Sequence, residues 1–251
     1  MFKKIALAAA LAATASFATW DYFPVQEAGK GQVEIADITN MQGKATWLET
    51  SIRARYTIVQ NFEAGIQIPF QTYAWDDGKA KDDAFGLEQI ELMLRYQFLP
   101  NVNAFLDVKF HTCGDKVYCY DDAFQFHFGA QFSQNFGIVD FGSELGLKLE
   151  TEGKNKGTSP LDMNIGLEAD FVVNDVIIPY VGIGFNILLG KDDDTKISRT
   201  GETGIFPYAG LVANITKMFY LGADLTLGFG EKYNSSDKTL IIMTVKAGLN
   251  F

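Results

Sequence analysis

"IIMTVKAGLNF", residues 241–251, sets the terms for the whole chain. Ile241, Met243, Val245, Ala247, Leu249 and Phe251 are apolar, and Thr244, Lys246, Gly248 and Asn250 lie between them. An apolar residue at every second position is the signature of a strand with one greasy face, because successive side chains of extended backbone point to opposite sides. What that face touches decides the fold.

The same pattern recurs through the chain. Alternating segments of eight to thirteen residues lie at roughly 31–39, 46–57, 63–74, 86–98, 103–111, 123–132, 137–149, 161–172, 177–189, 205–214, 218–229 and 239–251, an even number. The most apolar stretch, "VIIPYVGIGFNILL", carries Pro179, Gly182 and Gly184, which disfavour a helix. Connections around Gln60, Pro100, Gln134, Asn174 and Thr216 are short. Those between them, such as "WDDGKAKDDA", "CGDKVYCYDD" and "GKDDDTKISRTGETG", are longer and charged. Alternating tight turns and long loops with an even strand count predict an all-β, transmembrane, antiparallel up-and-down β-barrel of about 12 strands.

The front of the chain supplies a compartment. Lys3 and Lys4 precede an apolar run, Ile5 to Ala13, followed by Ser16, Phe17 and Ala18. A charged n-region, an h-region and a small-x-small site predict a signal peptide over 1–18. Residues 19–30 are then a short periplasmic or lumenal segment, and 31–251 the barrel. The formal charge is already −10 and loses two more positive units with the signal. Nucleic acid is excluded as a partner, since phosphate binding needs a basic face.

Facing follows from parity. In residues 137–149, Val139, Phe141, Leu145 and Leu147 alternate with Asp140, Gly142, Glu144 and Lys148; in 161–172, Met163, Ile165, Leu167, Ala169 and Phe171 alternate with Asn164, Gly166, Glu168 and Asp170. A barrel puts the apolar set against lipid and the polar set in a wet lumen. The expected lumen lining is Glu49, Arg53, Arg55, Glu91, Arg95, Asp107, Lys109, Asp140, Glu144, Lys148, Glu168, Asp170, Asp224 and Lys246. Aromatic girdles are expected from Tyr56, Phe62, Tyr96, Phe98, Phe132, Phe136, Phe219 and Phe251 near the short turns, and from Tyr73, Trp75, Tyr120, Phe124 and Phe206 near the long loops.

Twelve tilted strands about 4.8 Å apart close at a backbone diameter of roughly 24 Å, which leaves on the order of 12 Å inside the side chains. Gly142, Gly146, Gly166, Gly182, Gly184, Gly210, Gly222, Gly228 and Gly248 all take lumen parity, so the later wall is expected to be hollow, or merely more easily curved. A passage along that wall would have room for the N-terminal "TWDYFPVQEAGKG".

Two resemblances add to this. The aromatic last strand resembles that of bacterial outer-membrane barrels, in which it is read by the barrel assembly machinery; Phe251 is the residue this implies. The runs "IRARYTIVQNFEAGIQIPFQTY" (52–73) and "GLEQIELMLRYQFLPN" (86–101) resemble the phenol-degradation meta-pathway outer-membrane family, through Arg55 and Tyr56, Ile68 to Phe70, and Arg95 and Tyr96. That resemblance implies a transporter-like barrel and uptake of hydrophobic compounds.

Chemistry is sparse. The two cysteines, Cys113 and Cys119, are expected to form a loop-closing disulfide in an exported protein. A metal set of His111, Cys113, Cys119 and Asp121 lacks a second His or Cys pair, and Asp192 to Asp194 lack the further acid and glycine of a calcium loop, so no metal or other cofactor is expected. His127 has no serine partner at strand spacing, and no enzyme is expected. The expectation is an outer-membrane channel or transporter for passive passage of small solutes, in contact with lipid and lipopolysaccharide; the alternative is a closed barrel with a structural or surface-binding role.

Overall fold

The computed structural model describes residues 22–77, 79–80, 85–113, 123–151, 161–190, 201–230 and 237–251. The expected signal peptide, Tyr120, Cys119, Asp121 and Asp192 to Asp194 lie outside the described residues.

The strands are β1 (Gly31–Gln42), β2 (Ala45–Val59), β3 (Phe62–Asp76), β4 (Lys79–Ala80), β5 (Gly86–Leu87), β6 (Glu91–Leu99), β7 (Val102–Lys109), β8 (Gln125–Asn135), β9 (Val139–Glu150), β10 (Leu161–Phe171), β11 (Ile177–Leu188), β12 (Thr203–Asn214), β13 (Phe219–Gly228) and β14 (Leu240–Asn250). β4 and β5 are two-residue pieces paired to the upper end of β3. The other twelve pair antiparallel with their neighbours in chain order, and β14 pairs β1. The sheet is a closed 12-stranded barrel. No helix among the described residues is long and apolar enough to cross a membrane.

Closure runs through the quoted segment. Gln32 to Gln42 on β1 face Asn250 to Leu240 on β14, and the ladder continues one residue further. Gly31 N–H donates to the Phe251 carbonyl at 2.9 Å, and Phe251 N–H donates to the Gly31 carbonyl at 3.0 Å. A closed ladder leaves no strand edge unpaired, which hydrocarbon demands. The Phe251 ring stacks on Tyr56 at 6.4 Å, and both are exposed on the outer surface at the end that carries the short turns. The apolar face of the last strand therefore looks outward, toward lipid.

The turns are built locally. Gln60 and Asn61 join β2 to β3, with Asn61 at φ 70°, a conformation Asn tolerates. The Asn174 carboxamide oxygen accepts from Val176 and Ile177 N–H, and the Thr216 hydroxyl accepts from Met218 and Phe219 N–H. Such side chains replace ladder partners at a strand end. At the opposite end the first connection breaks the expected alternation: only Gly43 and Lys44 join β1 to β2, and Gly43 takes the φ of +61° that so tight a hairpin requires.

Two irregularities reshape β3. Leu48 pairs Tyr73 but Glu49 pairs Gln71, so Thr72 is an extra residue, and its hydroxyl donates to the Leu48 carbonyl at 3.2 Å. This bulge reverses the parity above it and turns Tyr73 and Trp75, with rings 6.4 Å apart, outward. Further along, the strand expected at 86–98 is split. Pro69 has no N–H; its carbonyl accepts from Glu88 N–H at 2.9 Å, and the chain then leaves the ladder over Gln89 and Ile90. Thr112 stitches that gap, its hydroxyl donating to the Glu88 carbonyl at 2.7 Å and accepting from Ile90 N–H at 2.9 Å.

Candidate functional site

The polar parity of every strand converges on the lumen, and cross-strand register decides which groups meet there. All fourteen residues expected to line it stand on the inward parity; the structure gathers most of them on one half of the wall, β1–β3 and β6–β9. Arg95 on β6 makes a bidentate pair with Asp107 on β7, with Nη2 3.2 Å from Oδ2, and its guanidinium lies 5.1 Å from the Phe105 ring centre. Both charges are buried, so the pair holds only because two hydrogen bonds and the mutual attraction offset desolvation. Arg55 donates from Nε to Gln32 Oε1 at 2.8 Å and lies 3.7 Å from Glu63. Arg53 faces Glu34 at 3.7 Å, Lys109 faces Glu91 at 3.8 Å, and Lys148 faces Glu150 at 3.7 Å. Glu49 stands above Arg53 on β2, opposite Gln71.

His127 on β8 sits between two carboxylates. Its Nδ1 is 3.7 Å from Asp107 and its Nε2 is 3.4 Å from Glu144, while Gln131 donates to the other Glu144 oxygen at 2.8 Å. The ring meets Phe105 edge-on at 4.7 Å and covers Gly146. The two carboxylates lie on opposite sides of the imidazole rather than converging on one point. Among the described residues no group of His, Cys, Asp or Glu is placed to hold a metal ion.

The other half of the wall corrects an expectation. The glycines there do not leave it hollow, because side chains from the neighbouring strands lie flat over them. Tyr208 covers Gly182, Tyr180 covers Gly210, Tyr220 covers Gly248 and Lys246 covers Gly222; an added Cβ at these glycines would come within 2.1, 2.5, 2.2 and 2.7 Å of them. Each hydroxyl then reaches a carboxylate: Tyr208 donates to Glu168 at 2.7 Å, Tyr180 to Asp224 at 3.1 Å and Tyr220 to Glu34 at 2.8 Å. Lys246 rests 5.8 Å from the Tyr180 ring centre. Asp140 and Asp170 are register partners across β9 and β10 nearer the short turns. Phe206, expected in the outer girdle, instead takes lumen parity, with its ring against Gly228.

The segment before β1 turns back into the barrel. Glu27 accepts from Lys30 N–H, Gly29 N–H donates to the Thr57 carbonyl, and the chain inward of this turn is held where Asn103 Nδ2 donates to the Phe23 carbonyl at 3.2 Å. Tyr22 fills the space over Gly142 and Gly166, whose Cβ atoms would fall 2.5 and 2.4 Å from it. Beside Tyr22 remains a cavity of about 270 Å³ lined by Arg53, Gln67, Glu91, Met93, Asp107, His127 and Glu144.

Sequence reasoning missed part of this lining. Glu34, Glu63, Glu150 and Asp162 also face inward and add four acids without a base; their parity was legible, Glu34 for instance standing between Val33 and Ile35. The tyrosines over the glycines had no such signal, because register between strands is not written in the period of either one. His111 and Cys113 lie beyond the end of β7, away from this lining.

Closed strands with aromatics at both rims, apolar residues outside and charges inside belong to one environment. The chain is a cell outer membrane β-barrel. Its fold is similar to that of the COG4313 outer membrane channel from Pseudomonas putida F1 (TM-score 0.67, 13% identity, 94% of this chain and 100% of that one). It is also similar to the translocator domain of autotransporter NalP from Neisseria meningitidis (TM-score 0.56, 10% identity, 88% of each chain) and to the NanC porin (TM-score 0.55, 7% identity, 85% of this chain and 98% of that one). At these identities the likeness is one of fold. No protein-family profile and no curated protein matches the sequence.

Proposed function

We propose that the barrel is an outer-membrane channel for passive passage of small solutes, without catalysis or energy coupling of its own. The observation that carries this is the cavity beside Tyr22: a space of about 270 Å³ inside the lumen, walled by Arg53, Glu91, Asp107, His127 and Glu144 rather than by packed apolar side chains. A wall of charges left facing open space is a costly way to build a merely structural barrel. Two neighbours, described as an outer membrane channel and as a porin, share the fold and support this reading. Uptake of hydrophobic compounds, which the family resemblance implies, fits this lining poorly.

A closed barrel is the second reading, and the tyrosines over Gly182, Gly210 and Gly248, with Tyr22 across Gly166, favour it. Swelling of liposomes in isotonic sugars of graded size separates the two. A channel of this cavity size admits monosaccharides and retards larger oligosaccharides; a closed barrel gives the protein-free rate throughout.

A further inference from the structure

Register places one row of lumen side chains across five adjacent strands: Glu34 on β1, Arg53 on β2, Gln67 on β3, Glu91 on β6 and Lys109 on β7. The charges run minus, plus, neutral, minus, plus. The cavity opens over the middle three, with Arg53, Gln67 and Glu91 in its wall. Two residues from Gln67 on β3 stands Gly65, which brings no side chain of its own, so the Met93 methyl lies over it and forms the floor there.

From this row we infer a binding site for a small zwitterion, a solute with one carboxylate and one ammonium group. The inference rests on the reading of the lumen as a passage and names its solute class. Strands spaced about 4.8 Å apart put the Arg53 and Glu91 backbones about 10 Å from each other, with the Gln67 amide between them. A guanidinium fork takes a carboxylate and a carboxylate takes an ammonium, while an amide donates to one and accepts from the other. Neither wall charge is consumed by its protein partner. Arg53 to Glu34 at 3.7 Å and Glu91 to Lys109 at 3.8 Å are attractions beyond hydrogen-bond length, and Arg53 Nε is buried with no hydrogen-bond partner.

The far wall does not compete, since Asp107 is held by Arg95, and Glu144 by Gln131 and His127. Tyr22 and Met93, both in the lining, supply apolar surface for the carbon chain between the two charges. A solute with a single charge engages one end of the row and leaves the other unmatched, so the arrangement discriminates by charge pairing rather than by net charge.

The test uses protein extracted from outer membranes into detergent and equilibrium dialysis with radiolabelled β-alanine, propionate and propylamine, which differ only in their charged ends. The expected result is at least fivefold tighter binding of β-alanine than of either single-charge probe. Glu91→Gln is expected to bring β-alanine down to propionate, and Arg53→Gln to bring it down to propylamine. Heat-shifted mobility on SDS gels reports folding, and the probe series decides by itself should a variant not fold. Equal binding of the three probes, or a preference untouched in both folded variants, overturns the site. Binding preference in a protein that passes no solute keeps the site and removes the passage; solute flux without preference does the reverse.

Discussion

Tyr208 on β12 lies across Gly182, its register partner on β11, so closely that a Cβ on Gly182 would sit 2.1 Å from the tyrosine ring. The same ring carries the hydroxyl that donates to Glu168 at 2.7 Å. One missing side chain thus lets an aromatic lie flat on the lumen wall and satisfy a buried acid two strands away. Gly182→Val forces the ring off the wall and leaves Glu168 without that donor. The expected loss is about 1–3 kcal/mol, combining overpacking with a lost hydrogen bond to a charge. The midpoint of heat-shifted mobility on SDS gels reads it, and an unchanged midpoint contradicts the packing described.

Facing was legible in the sequence and this contact was not, for one physical reason. Parity within a strand follows from its own period, so the twelve segments and the inward charges from Glu49 to Lys246 can be read directly. What covers Gly182 depends on how far β12 slides against β11, which neither segment encodes alone. The bulge at Thr72 shows the other limit, since a single extra residue turned Tyr73 outward. Phe206 lies beside a long loop but keeps the lumen parity of β12, so nearness to a loop does not by itself place an aromatic in the girdle.

Arg95 and Asp107 test the charged half. Arg95→Gln leaves a buried carboxylate with His127 3.7 Å away as its nearest basic group on the lumen wall, and is expected to cost about 3–5 kcal/mol. Adding Asp107→Asn removes the orphaned charge, so the double variant is expected to recover part of that loss. A double variant less stable than Arg95→Gln rules out the pair as the cause.

Cys119 lies outside the described residues, and the disulfide expected between it and Cys113 is tested chemically. Protein taken directly from oxidising conditions is expected to take up maleimide at neither cysteine until reductant is added. Labelling of both beforehand shows a free pair.

Ion preference follows from the wall. Glu34, Glu63, Glu150 and Asp162 add to the acids first read from parity, while the inward bases remain Arg53, Arg55, Arg95, Lys109, Lys148 and Lys246. Fixed negative charge within about 10 Å of the path concentrates cations at moderate salt. Weak cation preference is expected, fading as ionic strength rises. Neutralising Asp192 to Asp194 is expected to reduce it without abolishing it, because the lumen acids remain. A reversal potential showing anion selectivity contradicts the facing assignment.

Single-channel recording in planar bilayers tests the passage itself, with the native protein beside a Tyr22→Ala, Phe23→Ala double variant. Tyr22 stands between the cavity and the glycines of β9 and β10, and the Phe23 carbonyl is tied to Asn103. Discrete conductance steps are predicted for the native barrel, with larger steps once those two rings are removed. Folded protein of both kinds that passes no current over a range of voltages contradicts the channel.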